Sequence, residues 1–230
     1  MNDSLLALLK KVDTPTVCNA IEVAQGKRGF DAFTRGTMLA SAPGEAMVGY
    51  ARTARIRAVT PPGEASDVIR ARRMGYYEYM ASGPRPGIAV VQDLDVPNAI
   101  GAYWGEVNTN IHKAFGLSGA LTDGVMRDLG DLPDGFPVVA GSIGPSHGFV
   151  HVIDFDQPVQ VHGMTVAPDA LVHADRHGAV VIPDDVVAGL ETAVAQLFAS
   201  ENIVLDAVKG QQIDFAQFEG IWAAFEKSRT

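Results

Sequence analysis

The chain has 230 residues, 47% of them hydrophobic and 20% charged, with a formal net charge of −9 and a single cysteine. That length suits one large domain, or one domain with a helical appendage, and the apolar content is enough for a sizeable core. The acidic balance, with no basic run longer than Arg72–Arg73, disfavours nucleic-acid binding. No apolar run approaches the ~20 residues that a membrane span needs, so membrane insertion is disfavoured too.

The N-terminal segment MNDSLLALLKKVDTPT lacks the apolar core and small-residue cleavage site of a signal peptide. Lone Cys18 permits no intramolecular disulfide, which fits a reducing cytoplasm; in its apolar helical context it reads as packing rather than nucleophile.

Asp3–Lys11 reads as a short helix. A second begins at Thr14-Pro15, with Thr14 as cap and Pro15 in the first helical position; Val17, Ile21 and Ala24 share one face, and Gly26 ends it. Residues 49–56 form a strand, 65–82 a helix after Pro61-Pro62-Gly63, and 88–92 a buried strand after the GPRPG turn. Residues 104–116 carry Val107, Ile111, Ala114 and Phe115 at helical spacing between Gly105 and Gly116.

Residues 117–122 and 138–140 are short strands. From Gly148 the pattern is all-β: 149–155, 159–161, 164–166, 171–174 and 179–182, the last two joined by an Asp175-Arg176-His177-Gly178 hairpin. Pro183-Asp184-Asp185 then opens a long helix, stopped by Gly210, and a final helix spans about 214–227 with an apolar stripe. That stripe suits either a neighbouring subunit or the chain's own sheet. The order predicts a layered α/β domain over 1–230, with 183–230 as a C-terminal helical extension, rather than a regular βαβ arrangement.

The stretch Trp104–Asp131, WGEVNTNIHKAFGLSGALTDGVMRDLGD, carries the chemistry. Gly105-Glu106 opens a helix, so the unpaired amides of its first turn (Glu106, Val107, Asn108) form a seat for a carboxylate or phosphate; alternatively Glu106 only complements the helix dipole. Arg127 offers a planar fork to a carboxylate or an enolate oxygen. Asp128 and Asp131, three apart, reach one side of a turn and suit a hard cation such as Mg²⁺. The same three residues also describe an ordinary solvated ion-pair network. Asp93 and Asp95 end the 88–92 strand, where ligands bind or caps form. The histidines are scattered; His147, in a glycine loop with His151 beyond it, is the best placed for a site, although a structural role is its more ordinary reading. No serine-hydrolase elbow, phosphate loop or methyltransferase cofactor loop is present.

The WGE helix start, the GLSGALTDGVMRD run, Asp131 and the HADRHGAVVIPDD segment together resemble the RraA-like family, from about Pro15 to Asp185. That family includes class II pyruvate aldolases acting on 4-hydroxy-4-methyl-2-oxoglutarate and 4-carboxy-4-hydroxy-2-oxoadipate, alongside regulators of ribonuclease E activity. The resemblance implies a β/β/α layered (swivelling-type) fold in trimers or dimers of trimers, with sites between subunits. It implies Asp128 as the ligand of Mg²⁺ or Mn²⁺, with Asp131 in the motif that separates aldolases from regulators. Arg127 would contact the pyruvyl oxygen, and the amides after Gly105 would hold the pyruvate carboxylate. A glutamate from a neighbour's C-terminal helix would assist the metal, with Glu201 as candidate. The expected activity is a metal-dependent lyase that releases pyruvate from a 4-hydroxy-2-oxo acid and also decarboxylates oxaloacetate; the alternative is a non-catalytic, protein-binding regulator. The histidines of GPSHGFVHVIDFDQPVQVHG depart from the family pattern and set the distal substrate pocket apart.

Overall fold

In chain order the computed structural model, which describes residues 1–228, contains α1 (Asp3–Leu9), α2 (Thr14–Gln25), β1 (Leu39–Ala40), β2 (Met47–Arg57), α3 (Ser66–Ala81), β3 (Gly87–Asp93), β4 (Ala102–Trp104), α4 (Glu106–Ala114), β5 (Leu117–Thr122), β6 (Val125–Met126), β7 (Val138–Ala140), β8 (Ser142–Ile143), β9 (His151–Phe155), β10 (Val159–Val161), β11 (Met164–Val166), β12 (Leu171–Asp175), β13 (Gly178–Ile182), α5 (Leu190–Val208) and α6 (Phe215–Ser228).

The main sheet has eight strands in the order β1-β7-β5-β3-β2-β12-β13, with β9 also on β2. Strand β2 is the organiser. One edge pairs in parallel with β3. The other edge is shared: its first half pairs with β12 and its second half with β9, both antiparallel. The β-rich third quarter is therefore not a unit of its own. Its strands complete a sheet begun by the first half, and only β10–β11 forms a separate hairpin.

Alternation along the strands separates two faces. Ile88, Val90, Leu121 and Val139 point to one face, where Val159, Val161, Met164 and Val166 of the hairpin cover them. Ala89, Val91, Ala120 and Val138 point to the other, against Tyr76, Met80, Trp104 and Met126. Val48, Leu171 and Val180 meet Leu5, Leu9, Val17, Ile21, Val194 and Leu197 of α1, α2 and α5. Hairpin, sheet and helices thus form three layers, the β/β/α arrangement expected.

A second, three-stranded sheet, β4-β6-β8, is parallel. Each of its strands continues one of the main sheet: β3 leads to β4, β5 to β6 and β7 to β8. The small sheet repeats the strand order of its parent, and a bend separates the two. That bend passes through Asp93, Asp123-Gly124 and Gly141. A Cβ on Gly141 would lie 2.2 Å from the Asp123 carbonyl oxygen, so the chain turns here only with glycine.

Three expectations need correction. Thr14 is not the cap of α2: Asp13, in extended conformation, accepts the Thr16 amide at 3.0 Å, and Pro15 follows Thr14 within the first turn. Buried Thr14 is drawn into another network, its amide donating to Asp175 Oδ2 at 3.0 Å and its hydroxyl lying 3.0 Å from His173 Nδ1. Helix α4 does not bury its Val107–Ile111–Ala114 face; Thr109 and His112 go inward, and Val107 is 68% exposed. A buried imidazole with two hydrogen-bond partners outcompetes the apolar stripe. Finally, Pro183-Asp184-Asp185 does not open the long helix. A 3₁₀ turn over Val187–Gly189 intervenes, and Glu191 is the acid in the first turn of α5.

Within the C-terminal helical segment, α5 belongs to the core through Leu190, Ala193, Val194 and Leu197. Helix α6 buries no residue and packs on α5, leaving Phe215 71% and Trp222 42% exposed. No helix among the described residues is long and apolar enough to cross a membrane.

Candidate functional site

The far ends of β4 and β6 lie side by side. The Arg127 amide donates to the Trp104 carbonyl at 2.9 Å, which ties the Arg127-Asp128 turn to the start of α4. Gly105 caps α4 but has no side chain to offer the helix amides. Asp128, distant in sequence, does so instead: its Oδ2 accepts the Glu106 amide at 3.1 Å. An anion at a helix N-terminus is favoured by the unpaired amides and by the helix dipole. The amides of Val107 and Asn108, next in the same turn, also have no intrahelical acceptor.

Asp128 has φ 56°, a left-handed conformation that aspartate tolerates better than most residues. The Asp131 amide closes the turn on the Asp128 carbonyl at 2.9 Å, and the Asp131 side chain is exposed. Arg127 Nε lies 3.6 Å from Asp128 Oδ2, an ion contact without a hydrogen bond, and this Nε is buried without a partner among the described residues. Such a donor normally finds an acceptor. Gly105 makes the arrangement possible. A Cβ there would meet Asp128 Oδ2 at 2.5 Å and Arg127 Nε at 2.7 Å, while its backbone (φ −128°) suits any residue. The glycine is required by close approach, not by conformation.

The helix start is held from behind. Asn108 donates through Nδ2 to the Tyr103 carbonyl at 3.0 Å and accepts the Tyr77 hydroxyl at 3.3 Å, so its side chain positions the turn and only its amide is left for a ligand. His112 is fully buried, with Nδ1 2.7 Å from the Asn108 carbonyl and Nε2 2.6 Å from the Tyr76 hydroxyl. Burial pushes its pKa down to about 4, so the ring is neutral. Nδ1 donates to the carbonyl, and Nε2 accepts from the tyrosine.

Of the acids at this corner, Asp128 is the one that could hold a divalent ion. Mg²⁺ often takes one or two protein carboxylates, several waters and the substrate itself. The unpartnered Arg127 Nε and the gap kept by Gly105 fit an anionic chelating ligand beside Asp128. Among the described residues no three His, Cys, Asp or Glu side chains gather as a metal group, so Asp128, Asp131 and Glu201 do not form one within a single chain. Glu201 is half-buried on α5.

The remaining candidates divide. Asp95 is a staple: its Oδ2 accepts the amides of Ala58 and Val59 at 2.6 and 2.9 Å, and Arg57 is 3.2 Å away. Asp93 accepts the Asp95 amide through Oδ1, but its Oδ2 is buried without a partner among the described residues. His147 and His151 bond to the nearby carbonyls of Gly148 and Phe149. From the sequence Asp123 is no candidate and His162 is only one of the histidines of residues 144–163, yet both share a crevice with Asp93. Asp123 reads as part of a turn, and only the bend between the two sheets brings it to Asp93. Burial pushes the Asp123 carboxyl up to about 6 and raises that of Asp93.

The sequence profile of the RraA-like family, described as Aldolase/RraA, matches residues 14–181. The chain belongs to the RraA-like family. Its fold is similar to that of an uncharacterized protein from Pseudomonas syringae pv. tomato, with TM-score 0.71 and 21% identity over 100% of this chain and 94% of the other. It is also similar to Streptomyces coelicolor RraAS2, an unusual member of the RNase ES inhibitor RraA protein family, with TM-score 0.62 and 24% identity over 88% of this chain and 94% of the other. Protein DlpA of Legionella pneumophila is 24% identical over 134 residues, 55% of this chain; the chain spans only 22% of that relative's length. The structural likenesses, at these identities, concern the RraA-like fold. The family joins aldolases and RraA proteins, so the corner at Gly105, Arg127 and Asp128 must be read on its own chemistry.

Proposed function

We propose that this RraA-like chain is a divalent-metal-dependent lyase that cleaves the C3–C4 bond of a 4-hydroxy-2-oxo acid and releases pyruvate. The observation that carries the reading is the corner itself: a buried, unpartnered Arg127 Nε beside an Asp128 carboxylate that also caps α4. Asp128 holds Mg²⁺ or Mn²⁺, with Asp131 close in the chain and Glu201 of a neighbouring subunit as further candidates. The subunits assemble as a trimer or a dimer of trimers. When bound, the ion supplies Lewis acidity toward the C1 carboxylate and the C2 carbonyl.

The chain's own groups do the rest. The Val107 and Asn108 amides at the positive end of α4 bind the substrate carboxylate. Arg127 donates to the C2 oxygen, where negative charge grows as the C3–C4 electron pair moves toward C2. Loss of the C4 hydroxyl proton turns C4 into a carbonyl, and a proton delivered to C3 yields pyruvate. Decarboxylation of oxaloacetate passes through the same enolate and is the expected second activity.

The test is pyruvate release from oxaloacetate and 4-hydroxy-4-methyl-2-oxoglutarate, with and without Mg²⁺ or Mn²⁺. Arg127→Ala and Asp128→Ala should each abolish turnover with the circular dichroism unchanged. Turnover that survives both substitutions would refute the site. A second reading, a protein-binding regulator, draws on the description of the Streptomyces neighbour. It predicts no metal-dependent pyruvate release and inhibition of a ribonuclease by the purified chain.

A further inference from the structure

A crevice opens where the main sheet bends into the small one. It encloses about 530 Å³ and is lined by Asp93, Asp123, His162 and Gln92, with Leu94 and Val96 on an apolar wall. It lies at the N-terminal end of β6, whereas Arg127 and Asp128 follow the C-terminal end of that strand. Neither the lyase chemistry nor the core uses these polar groups.

Gln92, Gln160 and Ser142 give the lining neutral polar groups, but its charged side chains, Asp93 and Asp123, are all acidic. Asp123 takes the Asp93 amide on Oδ1 at 2.7 Å, which leaves Oδ2 without a bond among the described residues. Asp93 is 1% exposed, yet its Oδ2 has no partner among the described residues. A buried carboxylate oxygen left in that state is costly, and native structures nearly always satisfy it. His162 sits in the tight β10–β11 turn at φ 49°, with Gly163 at φ 76°. Its Nε2 lies 3.1 Å from the Thr122 carbonyl; that nitrogen must carry the proton, so Nδ1 is an acceptor. The ring lies close over Gly141, where a Cβ would meet Cε1 at 3.3 Å.

No Lys or Arg lines the crevice, and neither Asp93 nor Asp123 is in an ion pair among the described residues. Neither carboxylate therefore has a counter-ion in contact, Arg57 acting on Asp93 only through space, and Asp93 Oδ2 has no donor among the described residues. A bare divalent ion is a poor match, because Asp93, Asp123 and His162 do not gather as a metal-binding group. An ammonium group is a good match: it carries one positive charge and three donors, and it has no acceptor to leave unsatisfied. The wall of Leu94 and Val96 suits a short alkyl body attached to it.

We propose that this crevice binds an alkylammonium group, with the Asp123 carboxylate as its counter-charge and His162 Nδ1 as a second acceptor. The group belongs either to a small free amine or to a lysine side chain presented by a partner. The site is independent of the lyase reading, so Arg127→Ala must leave it intact.

The experiment is isothermal titration of the whole chain at pH 7.5 with n-butylammonium chloride, and in parallel with n-butanol and sodium butyrate. Saturable binding of the ammonium alone is expected. Asp123→Asn keeps an acceptor for the Asp93 amide but removes the charge, and should weaken binding at least ~10-fold, the loss of a charge-assisted contact. His162→Asn, which tolerates the left-handed turn, should weaken it as well. A blocked Gly-Lys-Gly peptide separates the sources: tighter binding than butylammonium assigns the site to a lysine side chain, weaker binding to a free amine. Absence of saturable ammonium binding, equal binding of butanol, or unchanged affinity in folded Asp123→Asn would each overturn the proposal.

Discussion

Acidification from pH 7 to 4.5 should cost the fold about 2.5 kcal/mol through one residue, His112. The ring is fully buried between Tyr76, Trp104 and the first turn of α4, and burial lowers its pKa from the usual 6.5 to about 4. The unfolded chain takes up the proton near 6.5 and the folded chain only near 4, so between these values the unfolded state holds more protons. Stability is then fully present above pH 6.5 and falls as the pH drops toward 4. Asp123 acts in the opposite sense. Its folded pKa is about 6 against an ordinary 3.8, so protonation favours the fold over much of the same window. That gain is about 2 kcal/mol between pH 7 and 4.5 and would mask the loss in the wild-type chain. The assay is therefore a comparison of urea unfolding for wild type and His112→Gln at both pH values. The glutamine does not titrate, so the stability advantage of the wild type should shrink by about 2.5 kcal/mol on acidification. A pH-independent difference, or a His112 ring that titrates by NMR near 6.5, would refute the reasoning.

Four other outcomes follow from the same geometry. Gly105→Ala drives a methyl group into Asp128 and Arg127, so the Glu106 amide loses its acceptor. Pyruvate release, if present in the wild type, should fall at least ~10-fold in kcat/KM, because a charge-assisted hydrogen bond is worth about 1.5–3 kcal/mol. Thr14→Val strands His173 Nδ1 and the Asp175 carboxylate's neighbourhood without the hydroxyl; the cost is about 1–3 kcal/mol, read as a lower Tm in differential scanning calorimetry. Asp13→Ala should cost about 1 kcal/mol by removing the cap of α2, whereas an intact Tm would return the cap to Thr14. Cys18 is half-buried with its thiol raised by burial to about 11, so at pH 8 it should react with a thiol reagent far more slowly than a free thiol, and reaction at the rate of the unfolded chain would refute this.

Local chemistry was enough for much of this protein. The strands at 117–122, 138–140, 159–161 and 164–166 follow from apolar runs between turn residues, and the structure returns them with those ends. Gly26 ends α2 in a left-handed conformation (φ 62°), as a glycine after a helical stripe should. The Gly-Glu start of α4 and the Arg-Asp pair were legible because their residue types and spacing are local properties of the chain. Which groups meet was not, since that depends on how distant segments are brought together. Only the fold makes Asp128 the cap of a helix that begins 22 residues earlier, and only the close approach of two turns explains why Gly105 has no side chain. Thr14 and His173 lie 159 residues apart, and their bond moved the helix cap to Asp13. The inward face of α4 was decided the same way: partners on α3 and β4 satisfy a histidine that amphipathic spacing would leave outside. The Asp93–Asp123–His162 crevice exists because one set of strands bends into a second sheet, and no window along the sequence holds all three residues.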